Sequence, residues 1–261
     1  MGMNRTERGN RILEILADNG SVDVEQLVSG LGVSPATVRR DLDALAEKEL
    51  LVRTHGGATR GGVAYDLPQR YRLGDDDAKR SVAARAAAKV SRGMTVGMTG
   101  GTTTGIIAQL LGMRPDLRSE NGRPSLTVVT NSVNIASTLA VRPHIKVVVS
   151  GGVMHPASYE LVGPWAVQTL GGLSCDLAFI GVDGMTPQGG FTVHEEDEAE
   201  LNALMARRAR EAWVVTDSSK AGHTAFAALP EVKGIGLITD TGLSAQDRKA
   251  WAAKGVEVML A

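Results

Sequence analysis

Apolar residues recur along this chain in two rhythms, and the change falls near residue 78. The first rhythm is helical. Ile12, Leu13, Ile15 and Leu16 supply the apolar face of a helix predicted from about Thr6 to Asp18. Asn19-Gly20 ends it, because glycine tolerates the left-handed cap conformation. Ser21-Val22 reads as a short extended bridge, and Asp23 caps a second helix through Val28, with Leu27 and Leu31 as its anchors. Gly32-Val33 then turns the chain into a third helix running to about Lys48. Ser34 can accept a hydrogen bond from its first turn, and Pro35 suits a first position that has no amide to satisfy. Val38, Leu42 and Leu45 stand at i, i+4 and i+7, one inward stripe. Short helices with a Gly-containing turn before the last form a helix-turn-helix. The β-favouring run Leu50-Leu51-Val52-Arg53 and the turn Thr54-His55-Gly56-Gly57-Ala58 add a small hairpin, a wing.

From residue 78 the rhythm is one of short apolar runs alternating with helices. Strands are predicted at 95–98, 126–130, 145–149, 177–180, 212–215, 234–238 and 256–259. Helices are predicted at 78–90, 105–111, 132–139, 164–170, 196–210 and 246–253. Such alternation means a mostly parallel sheet covered on both faces, a Rossmann-like α/β domain. Between the two halves, Arg60 to Asp77 has little periodicity and reads as a connection. The organisation expected is therefore a winged helix-turn-helix at 3–58, a linker at 59–77 and an α/β domain at 78–261. Asp75-Asp76-Asp77 could bind a cation, but it better suits the positive N-terminus of the helix that follows. The polar stretch from Arg114 to Ser125 reads as a mobile loop.

The polar positions of the third helix carry the first functional signal. Arg40 points away from the apolar stripe with Ala36, Asp43 and Glu47 near it, and Thr37 and Arg39 flank it. At the helix start, beside Pro35, Ser34 and Thr37 can reach base edges or phosphates and Ala36 leaves room for close approach. A small, polar, basic surface at a helix N-terminus suits the major groove of double-stranded DNA, where arginine forks onto guanine or phosphate. Arg53 and His55 on the wing stand where they could meet backbone phosphate. An ordinary amphipathic helix with solvated arginines would show the same pattern, so the neighbouring elements decide.

They do so through a resemblance. Thr37-Val38-Arg39-Arg40-Asp41-Leu42, followed by Leu51-Val52-Arg53-Thr54-His55-Gly56-Gly57-Ala58, resembles the DNA-binding domain of the DeoR family of bacterial transcriptional regulators. The resemblance implies a winged helix-turn-helix on operator DNA, usually in a repressor of sugar catabolism. Charge alone would not suggest it. Up to residue 60 there are eight basic and nine acidic side chains, about −1, with no basic excess for non-specific attraction. The arginines must be segregated onto one face, and binding should need two copies of the head, in a homodimer or homotetramer.

In the second half, ligands are expected beyond the carboxyl ends of the strands. Those ends read Thr99-Gly100-Gly101-Thr102-Thr103-Thr104-Gly105, Thr130-Asn131-Ser132, Ser150-Gly151-Gly152, Gly181-Val182-Asp183-Gly184 and Thr216-Asp217-Ser218-Ser219-Lys220. Glycine and threonine before a helix expose amides and hydroxyls at its positive end, a phosphate cradle built from Gly101, Thr102 and Thr103. Lys220 would add a point charge, while Asp183 and Asn131 could hold sugar hydroxyls. The run is neither a dinucleotide fingerprint nor a P-loop, since Ile106 stands where the lysine would be.

These stretches, with Gly151-Gly152, Phe179-Ile180-Gly181 and Asp217-Ser218-Ser219-Lys220, also resemble the sensor domain of the DeoR family. That resemblance implies a fold similar to ribose-5-phosphate isomerase and a phosphorylated sugar as effector. One departure stands out: the family usually has Asp two residues before the Gly-Thr-Thr, and here that position is Thr99.

Composition narrows the rest. At 261 residues, with 43% hydrophobic and 22% charged residues, the chain is of ordinary globular make-up. No apolar run is long enough for a bilayer and the start is no signal peptide, so a cytoplasmic protein without a membrane partner is expected. Cys175 is alone and reads as a packed thiol. The histidines His55, His144, His155, His194 and His223 show no ligand spacing, so neither metal nor cofactor is expected. Glu195-Glu196-Asp197-Glu198 offers carboxylates for acid–base chemistry, but at a helix start such a run more often complements the dipole. No catalytic constellation is found, and the rival to a regulator is a sugar-phosphate isomerase or transferase with an appended head.

Overall fold

The structure, a computed structural model, describes residues 8–9, 11–12, 15–16, 21–47, 51–54, 56–60, 77–118 and 123–261. The chain divides into two compact units, Met1–Gln69 and Arg70–Ala261. Of the connection expected at 59–77, residues 61–76 lie outside the described residues, as do the Asn19-Gly20 cap and His55.

In the first unit the described residues of the leading helix are helical, with Ile12 and Leu16 buried. Strand β1 (Ser21–Asp23) follows, then helices α1 (Val24–Leu31) and α2 (Pro35–Glu47) and strands β2 (Leu51–Arg53) and β3 (Gly57–Arg60). Asp23 caps α1 in a reciprocal box: its carboxylate accepts from the Gln26 amide at 2.7 Å, and the Gln26 side chain faces the Asp23 N–H. The helix continues past Val28 to Leu31 because Leu27 and Leu31 both enter the core. Gly32, at φ 65°, then closes it with an N–H bonded to the Val28 carbonyl. Ser34 caps α2 as expected, its hydroxyl accepting from the Thr37 amide at 3.2 Å. Val38 and Leu42 pack on Leu27, Leu51 and Ala58 in one small core.

The bridge at Ser21 is a true strand, antiparallel to β3 and making a sheet in the order β1-β3-β2. Gly57 and Ala58, expected in the turn, belong to β3 instead. The approach to β1 is close enough that a Cβ on Gly57 would sit 1.9 Å from the Val22 carbonyl oxygen.

The second unit opens with α3 (Asp77–Ala87) and is built on seven parallel strands. These are β4 (Thr95–Met98), β5 (Leu126–Thr130), β6 (Ile145–Val149), β9 (Cys175–Ile180), β12 (Ala209–Val215), β14 (Gly236–Thr239) and β15 (Val258–Leu260). Their order across the sheet is β15-β14-β12-β9-β4-β5-β6. Helices α4 (Thr102–Met113), α5 (Val133–Ala140), α6 (Pro164–Gly171), α7 (Glu196–Arg207) and α8 (Ala245–Ala253) complete the alternation read from the sequence. Two apolar clusters flank the sheet, one around Val96, Ile107 and Phe179, the other around Ile180, Leu201 and Trp251.

Two additions interrupt the alternation. A hairpin of β7 (Val153–His155) and β8 (Glu160–Val162) follows β6. A small antiparallel sheet of β10 (Gly184–Thr186), β11 (Gly190–Val193) and β13 (Ala227–Ala228) follows β9. The polar stretch after α4 is in part anchored: Arg114 pairs with Asp116, Arg92 donates to the Asp116 and Arg118 carbonyls, and Leu117 is fully buried.

The strand order fixes where a ligand can enter. From β4 the chain moves to β5 and β6 on one side, then crosses to β9 and continues outward on the other. The crossovers therefore diverge between β4 and β9, leaving a crevice beyond their carboxyl ends.

Candidate functional site

On α2, Ser34, Pro35, Ala36, Arg39 and Arg40 are exposed and Thr37 is half-buried. Asp41 points the other way, buried and held by the Arg8 guanidinium at 2.7 Å. That hydrogen bond raises the Arg8 pKa against desolvation and fastens α2 to the leading helix. On α2, Arg39 and Arg40 thus face outward and Asp41 inward, and a second acid of the helix, Asp43, is exposed as well. Arg53 of the wing is engaged within the head, at 2.8 Å from Asp43 on α2 and donating to the Gly57 carbonyl. It braces the wing against α2.

In the second unit a cavity of about 160 Å³ lies at the divergence between β4 and β9. Two glycines let the strands close on each other there. A Cβ on Gly181 would stand 2.2 Å from the Gly100 carbonyl oxygen, and one on Gly100 would meet the Glu160 carboxylate. Thr99, where the resemblance leads one to expect Asp, is fully buried and accepts a hydrogen bond from the Gly181 amide at 2.9 Å. It joins the two strand ends rather than facing the cavity.

Beside it, α4 begins at Gly101 (φ 133°) with no side chain capping its first amides. The Gly101 carbonyl accepts from the Gly105 amide and the Thr104 hydroxyl. Thr102 is half-buried and Thr103 buried. The open amides of a twelve-residue helix, with Gly101 in the cavity wall, are what an anion needs.

The remaining expected residues separate. Asp183 lines the cavity. Asn131 is fully buried, its Nδ2 donating to Glu160 Oε2 at 2.8 Å, so it acts on the cavity through that carboxylate. Gly151 and Gly152, at φ 67° and 119°, form the turn into the β7–β8 hairpin, where Gly152 meets the Val162 carbonyl. Lys220 is half-buried in a 3-10 turn after β12, one strand away from β9 and outside the cavity wall.

Glu160 and Asn202 of the wall had no functional reading in the sequence, His155 was weighed only as a metal ligand, and Glu198 was taken for helix-end charge. Glu195 at the cap of α7 and Glu198 and Asn202 within it lie at i, i+3 and i+7, a single face, and that spacing was the available signal. Glu198 is buried in the wall rather than complementing the helix end in solvent. Desolvation and the nearby Glu198 charge push Glu160 up to about 8. Desolvation raises Glu198 too, against the Ser158 hydrogen bond and the His155 ring. Among the described residues no group of His, Cys, Asp or Glu is arranged to hold a metal ion, and no helix is long and apolar enough to cross a membrane.

A winged helix-turn-helix joined to an α/β unit with a polar crevice at its switch point is the layout of a ligand-controlled, DNA-binding transcriptional regulator. Residues 8–61 match the DeoR-like helix-turn-helix domain and residues 75–241 the DeoR C-terminal sensor domain. The chain belongs to the DeoR family of transcriptional regulators. It is 33% identical over 257 residues to the HTH-type transcriptional regulator GlpR of Haloferax volcanii, covering 97% of this chain and 96% of that one. It is 27% identical to the glycerol-3-phosphate regulon repressor of Escherichia coli K12 over 237 residues, 90% of each. Among solved structures, ribose 5-phosphate isomerase A of Methanocaldococcus jannaschii is similar over 57% of this chain and 55% of that one, at 21% identity and a TM-score of 0.41.

Proposed function

We propose that the chain represses carbohydrate genes by placing the exposed face of α2 in the major groove of operator DNA, under the control of a phosphorylated sugar. Residues 3–58 serve as the DNA-binding head, 59–77 as linker and 78–261 as sensor. Ser34, Pro35, Ala36, Thr37, Arg39 and Arg40 face the DNA, with Arg53 and His55 beside the backbone. The outward arginines on a head with no net positive charge carry the DNA side of this reading. That charge balance also supports a homodimer or homotetramer, since one head has little non-specific attraction to draw on.

On the sensor side, the uncapped start of α4 takes the phosphate and the cavity beyond β4 and β9 takes the sugar. The chain acts by binding rather than turnover. An effector releases the operator to the extent that it binds the non-matching arrangement of heads more tightly.

The test is fluorescence anisotropy on an operator first isolated by selection from random duplexes. Arg40→Ala should lose one bidentate contact, about 1–3 kcal/mol, at unchanged helicity. Unchanged affinity removes Arg40 from the interface.

A further inference from the structure

The cavity wall is short of donors. Asn202 is nearly fully buried, and its Nδ2 faces the Gly181 carbonyl at 3.3 Å, which leaves Oδ1 as an acceptor with no partner. Glu198 is equally enclosed, and its Oε1 makes no hydrogen bond. The nearest basic group is the His155 ring, whose Nδ1 stands 3.4 Å away and also 3.1 Å from the Ser158 hydroxyl. Beside these lie the Glu160 carboxyl, wholly enclosed, and Asp183.

The charged and titratable groups facing this space come from several elements. They are His155 on β7, Glu160 on β8, Asp183 after β9, His194 and Glu195 before α7, and Glu198 within it. Carboxylates outnumber imidazoles four to two, and the wall holds neither lysine nor arginine.

Resting on the sugar-phosphate reading above, we propose that the effector is an amino-sugar phosphate whose protonated amine is held by Glu198, Glu160, Asp183 and Asn202. A hydroxyl brings one donor but also lone pairs, which would face carboxylate oxygens. An ammonium brings three donors, no acceptor and the missing positive charge. Gly101, in the same wall, supplies the reverse polarity, with open helix amides suited to the phosphate. One small ligand with an anion at one end and a cation at the other satisfies both. Without it, burial keeps a proton on the Glu160–Glu198 pair. The amine replaces that proton, so its binding releases one.

Calorimetry on the full chain tests this with matched trios: glucosamine 6-phosphate, glucose 6-phosphate and N-acetylglucosamine 6-phosphate, and the galacto equivalents. Each titration is run in two buffers of different ionisation enthalpy. In at least one trio the free amine should bind tenfold or more tighter than both partners, and it alone should release a proton. Glu198→Gln and Asn202→Leu should each bring that ratio toward one, with melting curves confirming the fold. Equal binding within every trio, or no proton release, overturns the amine and leaves the sugar-phosphate reading standing. No binding of any sugar phosphate overturns both.

Discussion

Glu160→Gln separates the charge of the most enclosed carboxyl from its shape. The Glu160 carboxylate accepts from the Asn131 side chain and the Gly100 amide, yet desolvation still lifts it from the ordinary carboxylate range to about 8. A group whose folded pKa is raised stabilises the fold below its unfolded pKa and loses that contribution as pH rises through the folded value. The window here runs from 4.5 to about 8. At ~1.4 kcal/mol per pH unit this amounts to about 5 kcal/mol. For a unit of this size that is roughly 10 °C in Tm.

Glutamine keeps the shape and removes the titration. Its amide can be accommodated because Asn131 Oδ1 has no partner, so a flip of the Asn131 amide presents an acceptor to it. Any pH-independent cost of the substitution cancels when slopes are compared. Scanning calorimetry of the full chain without ligand, at pH 5, 7 and 9, should show the wild-type sensor transition falling about 10 °C further than that of the variant. Parallel profiles would refute the assignment of a buried proton to Glu160.

Two further outcomes concern the head. Asp43→Asn frees Arg53 from its ion pair and removes one negative charge near the DNA face, so DNA affinity should rise and its salt dependence steepen by about one counterion; anisotropy across a salt series reads both. Gly57→Ala drives a Cβ into the Val22 carbonyl and should cost the head about 1–3 kcal/mol or more, seen as early loss of helicity on heating with the sensor transition unmoved.

What the sequence revealed and what it concealed follow one line. The caps at Asp23 and Ser34 and the parallel strands were legible because each is local: a polar oxygen before a periodic run, or a β-branched run between helices. The β7–β8 hairpin was not, since its strands have three residues each and Val153 and Met154 remain exposed. With the hairpin went Glu160, whose burial depends on Asn131, 29 residues away, and on Gly100 having no side chain. Glu198 was visible but read as helix-end charge, because only the fold shows which face of α7 the crevice receives. Arg53 was placed on the wing correctly, but its partner Asp43 sits on another element and no spacing rule links them.

The hydrogen bond from the Gly181 amide to Thr99 spans 82 positions of the chain. The head, by contrast, is contiguous, and its sheet closes within the first 60 residues. During synthesis from the N-terminus the head therefore emerges with all its contacts available, while the crevice between β4 and β9 does not yet exist. Each new molecule passes through an interval in which it holds a DNA-reading surface but nothing with which to detect its signal. On the paired-head reading proposed above, a single head binds too weakly for that interval to matter, and pairing of completed chains is the step that admits a molecule to regulation.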